Sequence, residues 1–126
     1  MELLQQGQST GYCKSFAELD SVTAKSVAEA AYAGDETAIQ VYARCGEMLG
    51  RGLSLLVDVL NPERIVIGSI FQRSADLLIP SMKKEMAEEC LPMSLDVVQV
   101  VPAELGENLG DLAALSLAIS IDRSGV

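Results

Sequence analysis

Histidine and tryptophan are both absent from the 126 residues, and only three Tyr and two Phe supply aromatic surface. Without histidine, the usual Cys/His zinc site and every His-based acid–base mechanism are excluded. With so few rings, the core must be aliphatic, built from Leu, Val, Ile, Ala and Met. Cationic residues are scarce too: 9 Lys and Arg stand against 18 Asp and Glu, a net charge of −9. So acidic a chain, with no basic stripe, is a poor partner for phosphate backbones or anionic lipid, so neither nucleic-acid nor membrane binding is expected. The three cysteines, Cys13, Cys45 and Cys90, lie too far apart for a CxxC pair and are odd in number, so no disulfide framework is expected. Reduced thiols in a cytoplasmic protein are the expectation. No segment reaches the roughly 18 consecutive apolar residues of a membrane span. The opening MELLQQGQSTG has neither the basic start nor the apolar run of a signal peptide.

What is present suits one domain, long enough to bury about two thirds of its unfolded surface. Residues 1–20 mix Gln, Gly, Ser and Thr with few apolar anchors and read as a poorly ordered lead-in, with a short helix at 2–6. Residues 21–126 form the folded part. From Ser21 onward Val22, Ala24, Val27, Ala28 and Ala31 fall at helical spacing, and Gly34 ends the run. Asp35 can then N-cap a second helix over about 36–60. On that helix Tyr42, Cys45, Leu49, Leu53, Leu56 and Leu60 make one apolar stripe, and Val41, Met48, Leu55 and Val59 make another. Two stripes predict burial around more than half its circumference. Asn61-Pro62 stops it.

Arg64–Ile67 is a short β-branched run without alternation, the pattern of a strand buried on both faces in a parallel sheet. A third helix is predicted over 74–90, with Leu78, Met82, Met86 and Cys90 repeating every four residues and Pro80 in its first turn. Pro92 closes it, and 95–101 (LDVVQVV) is a second strand. A final helix over about 109–121 carries Leu112, Leu115 and Ile119. A strand–helix–strand unit implies two parallel neighbouring strands, yet two strands alone are too few. The missing cover comes from another chain or from more of the same protein.

Gly68-Ser69-Ile70 is the carboxyl end of the first strand, where ligands bind in parallel α/β sheets. Gly68 there permits a positive φ and lets a flat group approach the backbone; the plainer alternative is that it only turns the chain. Gly106 and Gly110 follow the second strand at the same edge of the sheet. Gly46, Gly50 and Gly52 each cost the long helix roughly 1 kcal/mol against alanine, which close packing against a neighbouring element would offset. Glu104, Glu107 and Asp111 are read as solvated loop acids rather than a metal site, and Cys45 and Cys90 as small core residues. Ser69 and Ser81 have no His or Lys base nearby, so no catalytic residue is assigned.

The succession AxxGDxxA (from Ala31), LGxGL (from Leu49) and LNPERIVIG (from Leu60), then VVPAELGENLGDLAALSLA, resembles the C-terminal part of the ROK family of repressors, open reading frames and sugar kinases. The likeness runs from about Thr23 to Ile121. It implies an α/β fold: a C-terminal fragment of an actin-like ATPase (ribonuclease H-like) domain, with parallel strands and flanking helices. It implies ATP as cofactor in the intact family, with Gly68, Ser69, Ile70, Gly106 and Gly110 on the adenosine side of the cleft. Ser69 departs from the glycine usual there. The phosphate-binding DxGxT turn, the catalytic aspartate and the zinc-binding cysteine–histidine motif of the family have no counterpart in this chain. The resemblance therefore implies a sugar-kinase fragment inactive alone, or alternatively the inducer-binding or oligomerisation part of a sugar-responsive repressor. Its implied partners are a second copy or the missing N-terminal portion, with sugar bound only in the intact family.

Overall fold

The computed structural model describes residues 10–104 and 109–124. Its helices, in chain order, are α1 (Ala24–Tyr32), α2 (Glu36–Leu60), α3 (Ile70–Arg73), α4 (Ala75–Glu89), α5 (Pro92–Leu95) and α6 (Leu109–Ser124). Two strands, β1 (Arg64–Ile67) and β2 (Gln99–Pro102), pair in parallel with Arg64 opposite Gln99 and Ile67 opposite Pro102. Among the described residues these two make up the whole sheet. The expected helix at 2–6 lies outside the described residues. Ahead of α1, Thr10 and Cys13 form an isolated bridge and Phe16–Ser21 a 3-10 helix, and Cys13 is buried.

The two helices that precede the sheet each start on a capping side chain. Thr23 and Ser26 form a reciprocal capping box at α1: Ser26 N donates to Thr23 Oγ1 at 3.1 Å and Thr23 N donates to Ser26 Oγ at 3.0 Å. Gly34, at φ 90°, turns the chain out of α1 in the left-handed conformation that glycine tolerates. The carboxylate of Asp35 accepts from Ala38 N at 2.8 Å and from Gly11 N at 2.6 Å, starting α2 and pinning the preceding segment to it. These bonds, Ala38 first, hold the Asp35 carboxyl below its ordinary value. A depressed carboxyl contributes stability above its unfolded value that is lost as pH falls through the folded one. Asp35→Asn keeps the cap but cannot titrate. It should lose less stability than the parent as pH drops below about 5, and parallel acid limbs in urea titrations would overturn this.

At the far end of α2, Asn61 takes a left-handed conformation (φ 46°, ψ 52°) and Pro62 cannot continue the helix. The buried face of α2 runs through Ala38, Tyr42, Gly46, Gly50, Leu53, Ser54 and Val57. This corrects the sequence expectation. Cys45 is exposed, as are Leu55, Leu56, Val59 and Leu60, so one stripe is buried rather than two. The cause is the pair of glycines, which draws α4 onto their side of the helix. A Cβ at Gly50 would lie 2.7 Å from Met82 O and 2.8 Å from Glu85 Cβ, and one at Gly46 would lie 2.5 Å from Leu78 O. Such spacing is the close helix contact that the glycines predict. Gly52 faces open space. Arg51 Nε closes the same contact by donating to the buried Glu85 carboxylate.

Three details differ from expectation. A separate short helix, Ile70–Arg73, precedes α4, which starts at Ala75 close to expectation; Pro80, its sixth residue, stands in the second turn rather than the first. Pro92 opens α5 instead of serving only as a stop, since proline suits a first helical position. In consequence β2 begins at Gln99 rather than at Leu95, with 92–95 wound as a helical turn. Val66 is exposed, so β1 lacks the double-sided cover its composition asks for among the described residues. The core is Val27, Ala28, Ala31, Ala38, Tyr42, Leu53, Val57, Phe71, Leu78, Met82, Met86 and Cys90, filling the space between α1, α2, α4 and one face of the sheet.

Candidate functional site

Where β1 ends, Gly68, Ser69 and Ile70 open onto an apolar cleft of about 460 Å³. Its walls are Ala24 and Val27 of α1, Val41, Tyr42, Cys45 and Leu49 of α2, and Phe71 and Leu78 from the helices after β1. Each wall has a fixed position. Tyr42 is held because its hydroxyl donates to Ala24 O at 2.9 Å, which ties α2 to the first turn of α1. Tyr32 at the end of α1 donates to Asp76 Oδ1 at 2.6 Å, tying α1 to α4; that carboxylate raises the phenol's pKa above its ordinary value. The floor is fixed by β1–β2 pairing, by Ala103 N donating to Ile67 O at 2.9 Å, and by Gln72 Nε2 donating to Ala103 O. The turn after β1 and the turn after β2 are thus bonded to each other.

The backbone of this turn holds a departure from the glycine reading. Gly68 does not adopt a positive φ; Ser69 does, at φ 56° and ψ −128°. Its neighbour Ala103 Cβ would sit 3.8 Å from a Cβ at Gly68, an ordinary contact. The conformation at Ser69 is one that glycine takes freely and L-residues rarely take, and such outliers cost on the order of 1–3 kcal/mol. The expected permissive position is therefore one residue later and is occupied by a side chain.

A second hollow of about 310 Å³ shares Ala24, Tyr42 and Ile70 with the first and adds the polar rim of Lys25, Glu29, Tyr32, Arg73 and Ser74. A third, lined by Glu63, Arg64, Val97 and Gln99, lies at the amino ends of the strands, away from these turns. Of the predicted site residues, Gly68, Ser69 and Ile70 meet in the cleft, Gly110 lies exposed in the first turn of α6, and Gly106 is outside the described residues. Sequence reasoning missed Tyr42 and Cys45 as wall residues. The visible signal was Tyr42, the only aromatic residue in α2. Glu107 also lies outside the described residues. Among the described residues no group of His, Cys, Asp or Glu is placed to hold a metal ion, and no helix is long and apolar enough to cross a membrane.

Two parallel strands with flanking helices, and an apolar cleft at the carboxyl ends of the strands, make an α/β body with its hollow where ligands bind in parallel α/β sheets generally. The ROK family model matches residues 3–121. The chain belongs to the ROK family. It is 30% identical over 96 residues to the DNA-binding transcriptional repressor Mlc of Escherichia coli, covering 76% of this chain and 23% of that protein. A glucokinase of Halalkalibacterium halodurans is 35% identical over 89 residues, covering 71% of this chain and 27% of that one. Among solved structures, a ROK family transcriptional regulator homologous to E. coli Mlc superposes with a TM-score of 0.68 at 25% identity, over 80% of this chain and 24% of that one. A nominal sugar kinase from Cytophaga hutchinsonii gives a TM-score of 0.73 at 25% identity, over 94% and 38% respectively. The chain spans about a quarter of the length of these two curated relatives.

Proposed function

We propose that this chain is the C-terminal portion of an actin-like ATPase fold of the sugar-kinase type, and that it supplies the adenosine-side wall of an ATP cleft. The observation that carries this reading is the apolar cleft at Gly68-Ser69-Ile70, formed at the carboxyl end of a parallel strand in a ROK chain. A flat ring can lie against that backbone between Tyr42 of α2 and the turn after β1. The family resemblance assigns Gly106 and Gly110 to the same side of the cleft, although Gly110 is not one of the residues that line it. The substrate class is a hexose, phosphorylated by ATP in the intact protein, with the hydroxyl activated by a carboxylate and Mg²⁺ on the phosphates. The DxGxT turn and the catalytic aspartate have no match in this sequence, so this portion holds nucleotide without transferring phosphate.

The uncovered faces support the rest of the picture. Leu55, Val59 and Leu60 on the outer face of α2, and Val66 on the sheet, are apolar and exposed. They suit burial against the remainder of the fold and, along α2, a second copy. A second reading is favoured by the likeness to Mlc: the same cleft and faces would serve the inducer-binding and oligomerisation part of a sugar-responsive repressor.

Cys45 provides the test. It lines the cleft and is exposed, while Cys13 and Cys90 are buried, so a thiol reagent on the folded chain reports on Cys45. Millimolar ATP should slow labelling of Cys45 several-fold without changing the circular dichroism spectrum. The same chain given ATP with glucose or an N-acetylated hexosamine should show no turnover above background. Labelling indifferent to ATP, or measurable phosphorylation, would refute the proposal.

A further inference from the structure

We infer that Ser69 limits affinity in the cleft, and that its Cβ, rather than the apolar walls, sets how closely a purine ring approaches the β1 turn. The inference rests on the nucleotide reading above and deepens it. Three observations meet at this residue. Ser69 lines the cleft, between Gly68 and Ile70. Its backbone, at φ 56° and ψ −128°, lies in a region that only glycine enters without strain. Its side chain makes no capping bond to the helix that starts beside it, so nothing local accounts for a serine here.

The geometry cannot relax by moving the turn. Ser69 O accepts from Gln72 N at 3.1 Å, Gln72 reaches across to Ala103 O, and Ala103 N is bonded to Ile67 O. The turn is fixed to both strands, so the Cβ and hydroxyl of Ser69 stay at the cleft and a ring must stand off by about one atom's width. The walls themselves, Tyr42 and Phe71 among them, are apolar and broad enough for a purine. A smooth backbone would let the ring lie flat on Gly68 and residue 69. The serine lifts it.

The experiment compares the intact chain with Ser69→Gly and Ser69→Ala, using adenosine and ATP as probes and protection of Cys45 as the readout. Ser69→Gly removes both the strain and the obstruction, so it should fold at least as well as the parent and tighten adenosine and ATP binding about tenfold or more. Ser69→Ala keeps the Cβ and the strain, so its affinity should stay within about twofold of the parent. Equal, measurable binding by the parent and Ser69→Gly would overturn the inference and leave the cleft reading standing. Tightening by Ser69→Ala as large as by Ser69→Gly would also overturn it, since the hydroxyl and not the Cβ would then be responsible. Failure of both Ser69→Gly and the parent to protect Cys45 at any concentration would remove the nucleotide reading and the inference together.

Discussion

Gly50→Ala is expected to destabilise the chain by about 2 kcal/mol, although alanine is the better helix former by roughly 1 kcal/mol. The opposing terms can be ranked by what a new Cβ would meet. At Gly50 it would lie 2.7 Å from the carbonyl oxygen of Met82 and 2.8 Å from Glu85 Cβ, with Met82 Cα at 3.3 Å. Two of these are backbone atoms and the third is the root of a side chain, so no rotamer change relieves the overlap. α4 would have to move away from α2, and contacts along the most extensive helix pair among the described residues would loosen. Gly46→Ala should cost a similar amount: Ser81 Oγ could rotate aside, but Leu78 O at 2.5 Å could not. The two positions are one turn apart and push α4 the same way, so the double variant should cost less than the sum. Gly52→Ala is the control. Its Cβ would meet nothing within 4 Å, so it should stabilise by about 0.5–1 kcal/mol. Urea unfolding of the three single variants checks the pattern. Stabilisation by Gly50→Ala would show that α2 and α4 do not pack as described.

The same glycines explain how much of the fold could be read in advance. Capping chemistry is local, so Asp35 at the start of α2, Gly34 after α1 and Asn61-Pro62 at its end were all legible. Continuous β-branched runs gave the two strands and their parallel pairing. The buried face was legible only in part: the glycines predicted a close neighbour, but the apolar count predicted two buried stripes where the approach of α4 covers only the one through Gly46 and Gly50. A glycine adds nothing to a hydrophobic tally, yet here it decides the packing. The start of β2 was misplaced for a related reason: 95–98 is apolar enough for a strand, but Pro92 at a first helical position winds the chain before it can extend. At the candidate site, the turn singled out at the strand's carboxyl end opens onto a cleft. The backbone outlier at Ser69 was not legible from the residue type alone, although the resemblance, which has glycine at that position, pointed to it. Tyr42 and Cys45 come from an element some twenty residues upstream, and only tertiary packing puts them beside Gly68.

Met82→Ala should cost about 3 kcal/mol and should disturb the cleft as well as the core. Met82 is fully buried, and with Val57 it is one of the two largest side chains so enclosed. Truncating such a residue loses its transfer free energy and leaves a void, together about 2–5 kcal/mol. The middle of that range is expected because Met86, Leu95, Val98 and Val100 already border a hollow beside Met82, so the surroundings can partly close in. Leu78, one turn earlier on α4, forms part of the cleft wall opposite Cys45 and Leu49 of α2. Loosening α4 at Met82 should therefore raise the rate at which Cys45 is labelled in the absence of ligand, at denaturant concentrations too low for global unfolding. A surface substitution of equal thermodynamic cost on α6 should not. The backbone atoms that crowd Gly50 are those of Met82 itself and survive truncation of its side chain, so Met82→Ala should not rescue Gly50→Ala. A double variant more stable than Gly50→Ala alone would mean that side-chain crowding, rather than backbone contact, sets the distance between the two helices that carry the cleft.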